Sequence, residues 1–468
     1  MSYRMTRRLA LAAAVSCVLA AGAASAQDRF NASGLENFDS SDGFIVTFRD
    51  GSAARTDKQR MLRTVNGAAA AALARAPSAL RHERTLGIGA DVVVPDRKLD
   101  RAESEALMRS LAANPDVAYV EPNVRLYPTL TPNDQFYNLQ YGFQSGVGGS
   151  NANLAWDLGF RGAGKIVAVI DTGYRPHVDL GTNIINGYDF ISSAATANDG
   201  NGRDSSALDP GDWTTAGQCY SGSPAGNSSW HGTHVAGTVA ARTNNTTGVA
   251  GMAFNARVLA VRALGRCGGT LADIADAITW SSGGTVSGVP AVGANRASVI
   301  NMSLGGQSTC TSSSAMQVAI NGALARGTTV VVAAGNSNLN VSGFTPAGCM
   351  GQGLIVVGAT DSAGAKAVFS NYGTGVDVSA PGVQIASTLN SGTTIPASDN
   401  YVYYSGTSMA APHVAGLVAM MHSKPSTDCL PATCESIIKA NTKPFGVVPA
   451  VPMGTGIIDA LRTLNATP

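Results

Sequence analysis

The sequence is poor in charged residues, and neither sign of charge is in excess. Asp, Glu, Lys and Arg make up 13% of the 468 residues, and the formal net charge is +1. A typical globular protein contains about 25% charged residues. The balance of charge gives no electrostatic reason to expect a nucleic acid or an anionic membrane as partner. With 44% hydrophobic residues, the composition indicates a globular protein with an uncharged surface and room for two or three domains of about 100–200 residues.

Long apolar runs are also scarce, and the one that stands out lies at the amino terminus. Three arginines precede an apolar run from Leu9 to about Ala21, and Ala24-Ser25-Ala26 follows it. This pattern predicts a secretory signal peptide at residues 1–26. The run is shorter than the roughly 20 residues that span a bilayer. We therefore expect a secreted protein that starts near Gln27 and is free of the membrane after processing; a lipid anchor at Cys17 is the weaker alternative.

Cysteine is rare, and one of the seven lies in the predicted signal peptide. An even number of cysteines in an exported chain favours disulfides over metal ligation or free thiols. Six cysteines allow 15 pairings, among which a sequence alone does not choose. The short spacing of the last two motivates a hypothesis of sequential pairing. The predicted pairs are Cys219–Cys267, Cys310–Cys349 and Cys429–Cys434.

Hydrophobic patterning divides the remaining chain into two parts. After a polar tail, residues 43–123 alternate strand and helix patterns, which predicts a small α+β domain. The predicted elements are strands at 44–48, 90–94 and 116–121 and helices at 56–75 and 102–113. A proline-containing stretch at 123–135 is typical of a linker. We place the domain boundary at 130, with a larger domain at 131–468.

The larger part alternates short β-branched runs with helix patterns. The predicted strands are 166–170, 258–261, 299–302, 329–333 and 354–357, and the predicted helices are 232–242, 271–281, 313–326 and 408–422. Continuous apolar strands separated by helices predict an α/β fold with a mostly parallel sheet and helices on both faces.

Three segments of this part carry side chains suited to nucleophilic catalysis. Asp171 directly follows a predicted strand, and His231 and Ser408 each begin a Gly- and Ala-rich helix. Open α/β sheets place their ligand sites at the carboxyl ends of strands. A helix that starts at Ser408 directs its amide groups and positive dipole end at the hydroxyl.

Each of these residues alone has a simpler interpretation. An Asp in a turn is often a loop or cap residue, and a Ser at a helix start is usually an N-cap. His231 and His234 are spaced like two metal ligands on one helix face. No glutamate completes an H-E-x-x-H pattern, which disfavours a zinc site. The combination of Asp, His and Ser in this order favours catalysis.

The three segments resemble the signatures of the subtilisin-like serine proteases, which share this chain order. The matching segments are Val169-Ile170-Asp171-Thr172-Gly173, His231-Gly232-Thr233-His234-Val235-Ala236-Gly237 and Gly406-Thr407-Ser408-Met409-Ala410-Ala411-Pro412-His413. A fourth segment, Val332-Ala333-Ala334-Gly335-Asn336-Ser337, resembles the one that supplies the family's oxyanion-hole asparagine. The resemblance runs from about residue 134 to 465. Residues 44–123 are similar, more weakly, to the family's inhibitory propeptide, a ferredoxin-like α+β domain.

The resemblance implies the roles of four residues. Ser408 would attack the scissile carbonyl, and His231 would take the Ser408 proton and return it to the leaving amine. Asp171 would fix the tautomer of His231 and stabilise its imidazolium. The side-chain amide of Asn336 and the Ser408 backbone N–H would form the oxyanion hole.

The resemblance also implies which residues bind substrate. The primary pocket would be lined by Ser303, Leu304, Gly305, Gly306, Ala333, Ala334 and Gly335, and the substrate backbone would pair along Gly268 and Gly269. These segments hold no charged residue. We therefore predict a preference for an apolar or aromatic residue before the scissile bond.

Calcium is the expected cofactor. The loop that starts at Asp199 offers hard oxygen ligands, although a solvated acidic loop is an equal alternative. The predicted ligands are Asp199, Asn201, Asp204, Asp209 and Asp212 in this loop, and Asp134 and Asp179 by resemblance to family ligands. The resemblance makes His234 and His413 structural residues.

These expectations describe a secreted, monomeric serine endopeptidase made as a self-processing zymogen. Residues 27–130 would be a propeptide that templates folding and inhibits the enzyme, and residues 131–468 would be the catalytic domain, acting on polypeptides. An esterase with the same triad is one alternative, but the G-x-S-x-G pattern of those hydrolases is absent. A binding protein without catalysis is another, but such a protein would have lost one of the four residues.

Overall fold

The computed structural model describes residues 29–32, 35, 43–73, 79–124, 130–425 and 429–468. The predicted signal peptide and its cleavage site lie outside these residues. The chain divides into two compact units, Met1–Leu126 and Tyr127–Pro468. No helix in the described ranges combines the length and the apolar character that a membrane crossing needs.

The first unit is a four-stranded antiparallel sheet with two helices. Its elements are β1 (Phe44–Phe48), α1 (Lys58–Ala72), β2 (Leu80–Thr85), β3 (Asp91–Pro95), α2 (Arg101–Ala113) and β4 (Val117–Pro122). The sheet order is β2-β3-β1-β4. Both helices begin at an aspartate that accepts backbone N–H bonds, Asp57 for α1 and Asp100 for α2. This β-α-β-β-α-β order is the ferredoxin-like arrangement, with one strand, β2, that the sequence analysis missed.

The second unit is built on a seven-stranded parallel sheet. Its strands are β5 (Ile166–Asp171), β6 (Ile184–Asp189), β7 (Arg257–Arg262), β8 (Val299–Met302), β10 (Thr329–Ala333), β12 (Leu354–Thr360) and β13 (Val378–Pro381). The order is β13-β12-β10-β8-β5-β7-β6, and each neighbouring pair is parallel. The two other small sheets pair β9 (Gly306–Gln307) with β11 (Phe344–Thr345) and β14 (Ile385–Asn390) with β15 (Asp399–Tyr404).

Helices cover both faces of this sheet. They are α3 (Ala152–Ala155), α4 (Ala194–Ala197), α5 (His231–Ala240), α6 (Leu271–Ser281), α7 (Ala315–Ala325), α8 (Thr407–His422), α9 (Pro431–Ala440) and α10 (Ala460–Ala466). Residues of β5 alternate between the faces: Val167 and Val169 join the core with α5 and α8, whereas Ala168 and Ile170 join the core with α6 and α7. The predicted α/β architecture is confirmed.

Three disulfides join the sequential cysteine pairs in the second unit. They are Cys219–Cys267, Cys310–Cys349 and Cys429–Cys434. The predicted connectivity is confirmed. The first bridge connects the long loop before α5 to the segment that follows β7.

Candidate active site

The carboxylate of Asp171 and the imidazole of His231 form a close pair at the end of the sheet. Asp171 is the last residue of β5, in the middle of the sheet, and its side chain is fully buried. Nδ1 of His231 lies 2.8 and 3.0 Å from the two carboxylate oxygens of Asp171. The backbone N–H of Thr172 also donates to this carboxylate, over 2.7 Å. The imidazole is 21% exposed, so its other nitrogen is available to a reacting group.

The helix that carries His231 begins without a side-chain cap from its own N-cap residue, Trp230. Two hydroxyls take over this role. Oγ of Ser229 accepts a bond from the His231 N–H over 3.3 Å, and Oγ1 of Thr172 accepts one from the Gly232 N–H over 3.1 Å. Free N–H groups at a helix start need such acceptors. The two hydroxyls therefore fix the backbone from which the imidazole projects.

Each of these hydroxyls donates in turn to a carboxylate. The Thr172 hydroxyl donates to Asp209 over 2.8 Å, and the Ser229 hydroxyl donates to Asp212 over 2.7 Å. Both acids belong to the loop that was predicted to bind calcium. They bring negative charge close to His231.

The pKa of His231 lies above its ordinary value near 6.5. Burial alone would lower this pKa, because it disfavours the charged imidazolium. The Asp171 carboxylate, its hydrogen bond, and the charges of Asp212 and Asp209 raise the pKa and outweigh burial. The site therefore stabilises a positively charged imidazole, which is the state that follows proton transfer from serine.

Ser408 lies in the first turn of α8, next to the strand end that carries Ser303. The Ser408 hydroxyl donates to the Ser303 carbonyl over 3.1 Å, and the Ser303 hydroxyl donates to the Ser408 carbonyl over 2.7 Å. In this conformation no hydrogen bond joins Ser408 to His231. Ser303, which bonds to Ser408, lines the same pocket as His231, so the structure brings both segments to one pocket. Catalytic hydrogen bonds are often formed only once substrate is bound.

Asn336 is held by its carbonyl oxygen, which leaves its amide nitrogen free to donate. Its Oδ1 accepts bonds from the N–H and the hydroxyl of Thr407, over 2.8 and 2.9 Å. A Cβ added at Gly406 would lie 3.3 Å from Asn336 Nδ2 and 3.6 Å from the backbone N of Ser408. The two N–H donors thus border the same space, as an oxyanion hole requires.

Comparison with known proteins gives the family of this site. A sequence model described as the subtilase family matches residues 162–451. The chain belongs to the subtilase family. The match contains all four residues of the site just described.

This subtilase is similar to proteins that are named extracellular proteases. It is 55% identical to the extracellular protease of Xanthomonas campestris pv. campestris over 92% of this chain and 74% of that protein. It is 41% identical to the extracellular basic protease of Dichelobacter nodosus over 90% of this chain and 70% of that protein. The predictions of a serine protease and of export are confirmed.

A solved structure supports the same assignment. The structure described as proteases from Pseudoalteromonas arctica PAMC 21717 aligns with this chain at a TM-score of 0.69 and 50% sequence identity. The alignment covers 72% of this chain and all of that chain. The subtilisin-like fold is therefore confirmed.

The predicted primary pocket has apolar walls and an aromatic residue that the sequence analysis missed. Ser303 to Gly306 follow β8, and Ala333 is the last residue of β10, with Ala334 and Gly335 directly after it. A Cβ added at Gly305 or at Gly335 would come within 2.5 or 2.6 Å of the Phe344 ring. The ring of Phe344 thus contacts both walls and limits the space between them.

The predicted substrate edge at Gly268 and Gly269 is a tight turn. Both backbone groups of Gly268 are paired with Gly265, over 3.0 Å each. A Cβ at Gly268 would meet nothing within 4 Å, whereas one at Gly269 would lie 2.1 Å from the Ala263 carbonyl. Gly268 therefore faces open space, and its own hydrogen bonds stay within the turn.

The two other histidines in the signatures are packed in the core. His234 Nε2 lies 3.2 Å from the Val402 carbonyl, and His413 Nδ1 lies 2.8 Å from the Met409 carbonyl. Burial lowers the pKa of His234 to about 3 and that of His413 to about 4. Both are therefore neutral residues that bind backbone groups, which agrees with a structural role.

The acidic loop predicted to bind calcium directs its oxygens to different protein groups. The Asp199 carboxylate pairs with buried Arg262 over 3.0 Å. The Asp204 carboxylate accepts bonds from the Asn201 amide and the Ser206 N–H. Asp209 accepts bonds from Thr172 and Gly211. Across the described ranges, no three acidic, His or Cys side chains are grouped to hold a metal. The loop carboxylates are thus bound to protein groups, and calcium binding by this loop stays a prediction.

The other two predicted ligands lie together. Asp134 accepts the N–H of Asn245 over 3.3 Å, and Asp179 accepts the side-chain amide of Asn245 over 2.8 Å. Burial is the main cause that raises the pKa of Asp179 to about 6, and the charge of Asp134 adds to it. Two buried carboxylates at one place suit a divalent cation better than the loop does.

Proposed function

We propose that the protein is an endopeptidase that cleaves peptide bonds through an acyl-enzyme on Ser408. The observation that carries this proposal is the Asp171–His231 pair, whose imidazole lines one pocket with Ser303, the hydrogen-bond partner of Ser408. The Asn336 amide, which is free to donate, adds to it. His231 removes the proton of Ser408 as Oγ attacks the scissile carbonyl, and the tetrahedral oxyanion receives hydrogen bonds from Asn336 and the Ser408 N–H. The imidazolium then protonates the leaving amine, and water hydrolyses the ester by the same route.

Substrate side chains before the scissile bond would enter the pocket between the two apolar wall segments. The absence of charge in these walls supports a preference for apolar residues, including aromatic ones where Phe344 leaves room. Faster cleavage after Lys or Arg across a peptide library would contradict this preference.

Casein digestion tests the proposed activity against its alternatives. We expect the purified mature protein to digest casein and the Asn336→Ala variant to lose about 10²–10³-fold in kcat, the loss measured for this donor in a subtilisin. Hydrolysis of p-nitrophenyl esters without casein digestion would instead favour an esterase. Absence of both activities would favour a binding protein.

The first unit would serve as a folding template and as an inhibitor of the cleft until self-cleavage. Its support is its own buried core and its resemblance to the family's propeptide. The cleavage would fall between about Asn123 and Thr131, a range that includes residues 125–129, which lie outside the described part of the chain. We infer a monomer as the mature state.

Calcium would bind beside Asp134 and Asp179 and stabilise the fold. We expect EDTA to lower the Tm of the inhibited mature protein and calcium to restore it. Asp179→Asn should remove most of the rise in Tm that calcium causes, because it removes one of two hard anionic ligands. An identical Tm with calcium and with EDTA would contradict the site.

A further inference from the structure

A second pocket lies beside the catalytic histidine. It has a volume of about 280 Å³, and its lining includes Asp212, Ser229, His231, Leu264, Gly268 and Ser303. The primary pocket segments share only Ser303 with it. It therefore borders the catalytic centre and is a different subsite from the primary pocket.

The position of this pocket indicates which substrate residue enters it. Side chains of an extended peptide point alternately to opposite sides. When the residue before the scissile bond points into the primary pocket, the preceding residue points to the other side, where His231 and Asp212 lie. The pocket thus receives the second residue before the scissile bond.

Asp212 supplies the acidic group of this pocket, and its carboxylate is held in place. Its two oxygens accept bonds from the N–H and the hydroxyl of Ser229, over 2.6 and 2.7 Å. A carboxylate has about four acceptor positions, so two remain for a ligand. The residue is half-buried and belongs to the lining of the pocket.

Three arginines that lie within three residues of the pocket lining in the sequence contact other groups. The Arg266 guanidinium lies over the Trp213 ring at 3.9 Å from its centroid. Arg262 pairs with Asp189 and Asp199, and Arg175 donates to the Asp209 carbonyl. None of the ion pairs formed between described residues includes Asp212. Besides its effect on the pKa of His231, the Asp212 carboxylate has no ion-pair partner in the described part of the chain, so it can also act on a cationic ligand.

We propose that Asp212 makes the protease select substrates with Lys or Arg at the second residue before the scissile bond. The apolar side chain of Leu264 would contact the methylene stem, and the Asp212 carboxylate would bind the cationic end. This inference rests on the proposed peptidase function. It adds a cationic requirement to the apolar preference of the primary pocket.

Two fluorogenic peptides that differ only in Lys or Gln at this position test the proposal. We expect the wild-type protein to favour Lys by about fivefold in kcat/KM, or about 1 kcal/mol at 1.4 kcal/mol per tenfold. In Asp212→Asn the Lys:Gln ratio should fall to near one. The matched control is Asp276→Asn, which removes the same charge from a side chain that is 40% exposed and lines another surface pocket; its ratio should match the wild type.

A wild-type ratio near one, or a ratio that survives in Asp212→Asn, would overturn the inference. Salt gives an independent readout on the wild type alone, because screening weakens a partly exposed ion pair. The Lys preference should fall between 0.02 and about 0.5 M NaCl, and a salt-independent preference would also overturn it. If wild type cleaves neither peptide nor casein, the proposed function itself fails; if it cleaves both peptides equally, only this inference fails.

Discussion

At the scale of single residues, His231, the proposed catalytic base, depends on carboxylates from a loop that carries no catalytic motif. Asp209 and Asp212 each accept a bond from a hydroxyl that caps the helix of His231. Through these bonds the two carboxylates hold the helix start that carries the imidazole, and their charges also raise the pKa of His231.

The pH dependence of peptide hydrolysis measures the protonation of His231. His231 must be neutral to accept the Ser408 proton, and its pKa lies above the ordinary 6.5. We therefore expect kcat/KM to be low at pH 6 and to rise as pH passes the raised pKa, with a midpoint above 6.5. The profile should be measured with one neutral peptide at constant ionic strength. A midpoint at or below 6.5 would contradict the electrostatic effect of the three acids.

Phe344 should limit the size of the residue before the scissile bond. Replacing its ring in Phe344→Ala would enlarge the space between the walls at Gly305 and Gly335. We expect the kcat/KM ratio of a peptide with Phe to one with Ala at this position to rise about tenfold. If Phe344→Ala does not fold, Phe344→Leu provides the test, and it should give a smaller rise of the same kcat/KM ratio. Phe160→Ala, which removes a ring near Lys424, is the control, and a similar rise there would refute the assignment.

The motif residues could be predicted from the sequence, whereas the residues that tune them could not. Asp171, His231, Ser408 and Asn336 stand in short segments whose local pattern is specific. Asp209 and Asp212 were placed in a calcium loop because their local pattern shows only oxygen ligands. Their actual partners come from residues that fold back from elsewhere in the chain, and such contacts leave no local signal.

At the scale of elements, strand prediction succeeded where the sequence is a short run rich in β-branched residues. β8 and β10 have the predicted bounds, and both are buried along their whole length. β2 was missed because its sequence, Leu-Arg-His-Glu-Arg-Thr, is polar and lies mostly exposed at a sheet edge. β6 was missed because Asn186 and Gly187 interrupt its apolar run. Edge strands of this kind depend on their neighbours rather than on their own pattern.

The disulfides should stabilise the fold more when they close a longer loop, with a logarithmic dependence on loop length. Cys310–Cys349 spans 39 residues, and Cys429–Cys434 spans 5. On the chain-entropy model, removing the first should cost about 4 kcal/mol and removing the second about 2 kcal/mol. Urea unfolding of the covalently inhibited double-alanine variants measures both. An equal or reversed order of losses would show that unfolded-chain entropy is not the main contribution.

At the scale of the whole molecule, two units with separate cores suit a protein that is cut after folding. We expect Ser408→Ala to accumulate as the uncut precursor in a host that lacks other proteases, because self-cleavage needs the same nucleophile. The wild type should instead yield a mature amino terminus between about Asn123 and Thr131. Mass spectrometry of both proteins identifies the termini. Normal maturation of Ser408→Ala would contradict self-processing.

The most direct test of the central claim is the site at which a fluorophosphonate probe reacts. We expect one labelled serine, Ser408, in the mature wild type, and peptide mapping would identify it. Labelling should be lost in His231→Ala, because the hydroxyl then lacks its base. A label on another serine, or casein digestion that continues without any label on Ser408, would contradict the assignment of the nucleophile.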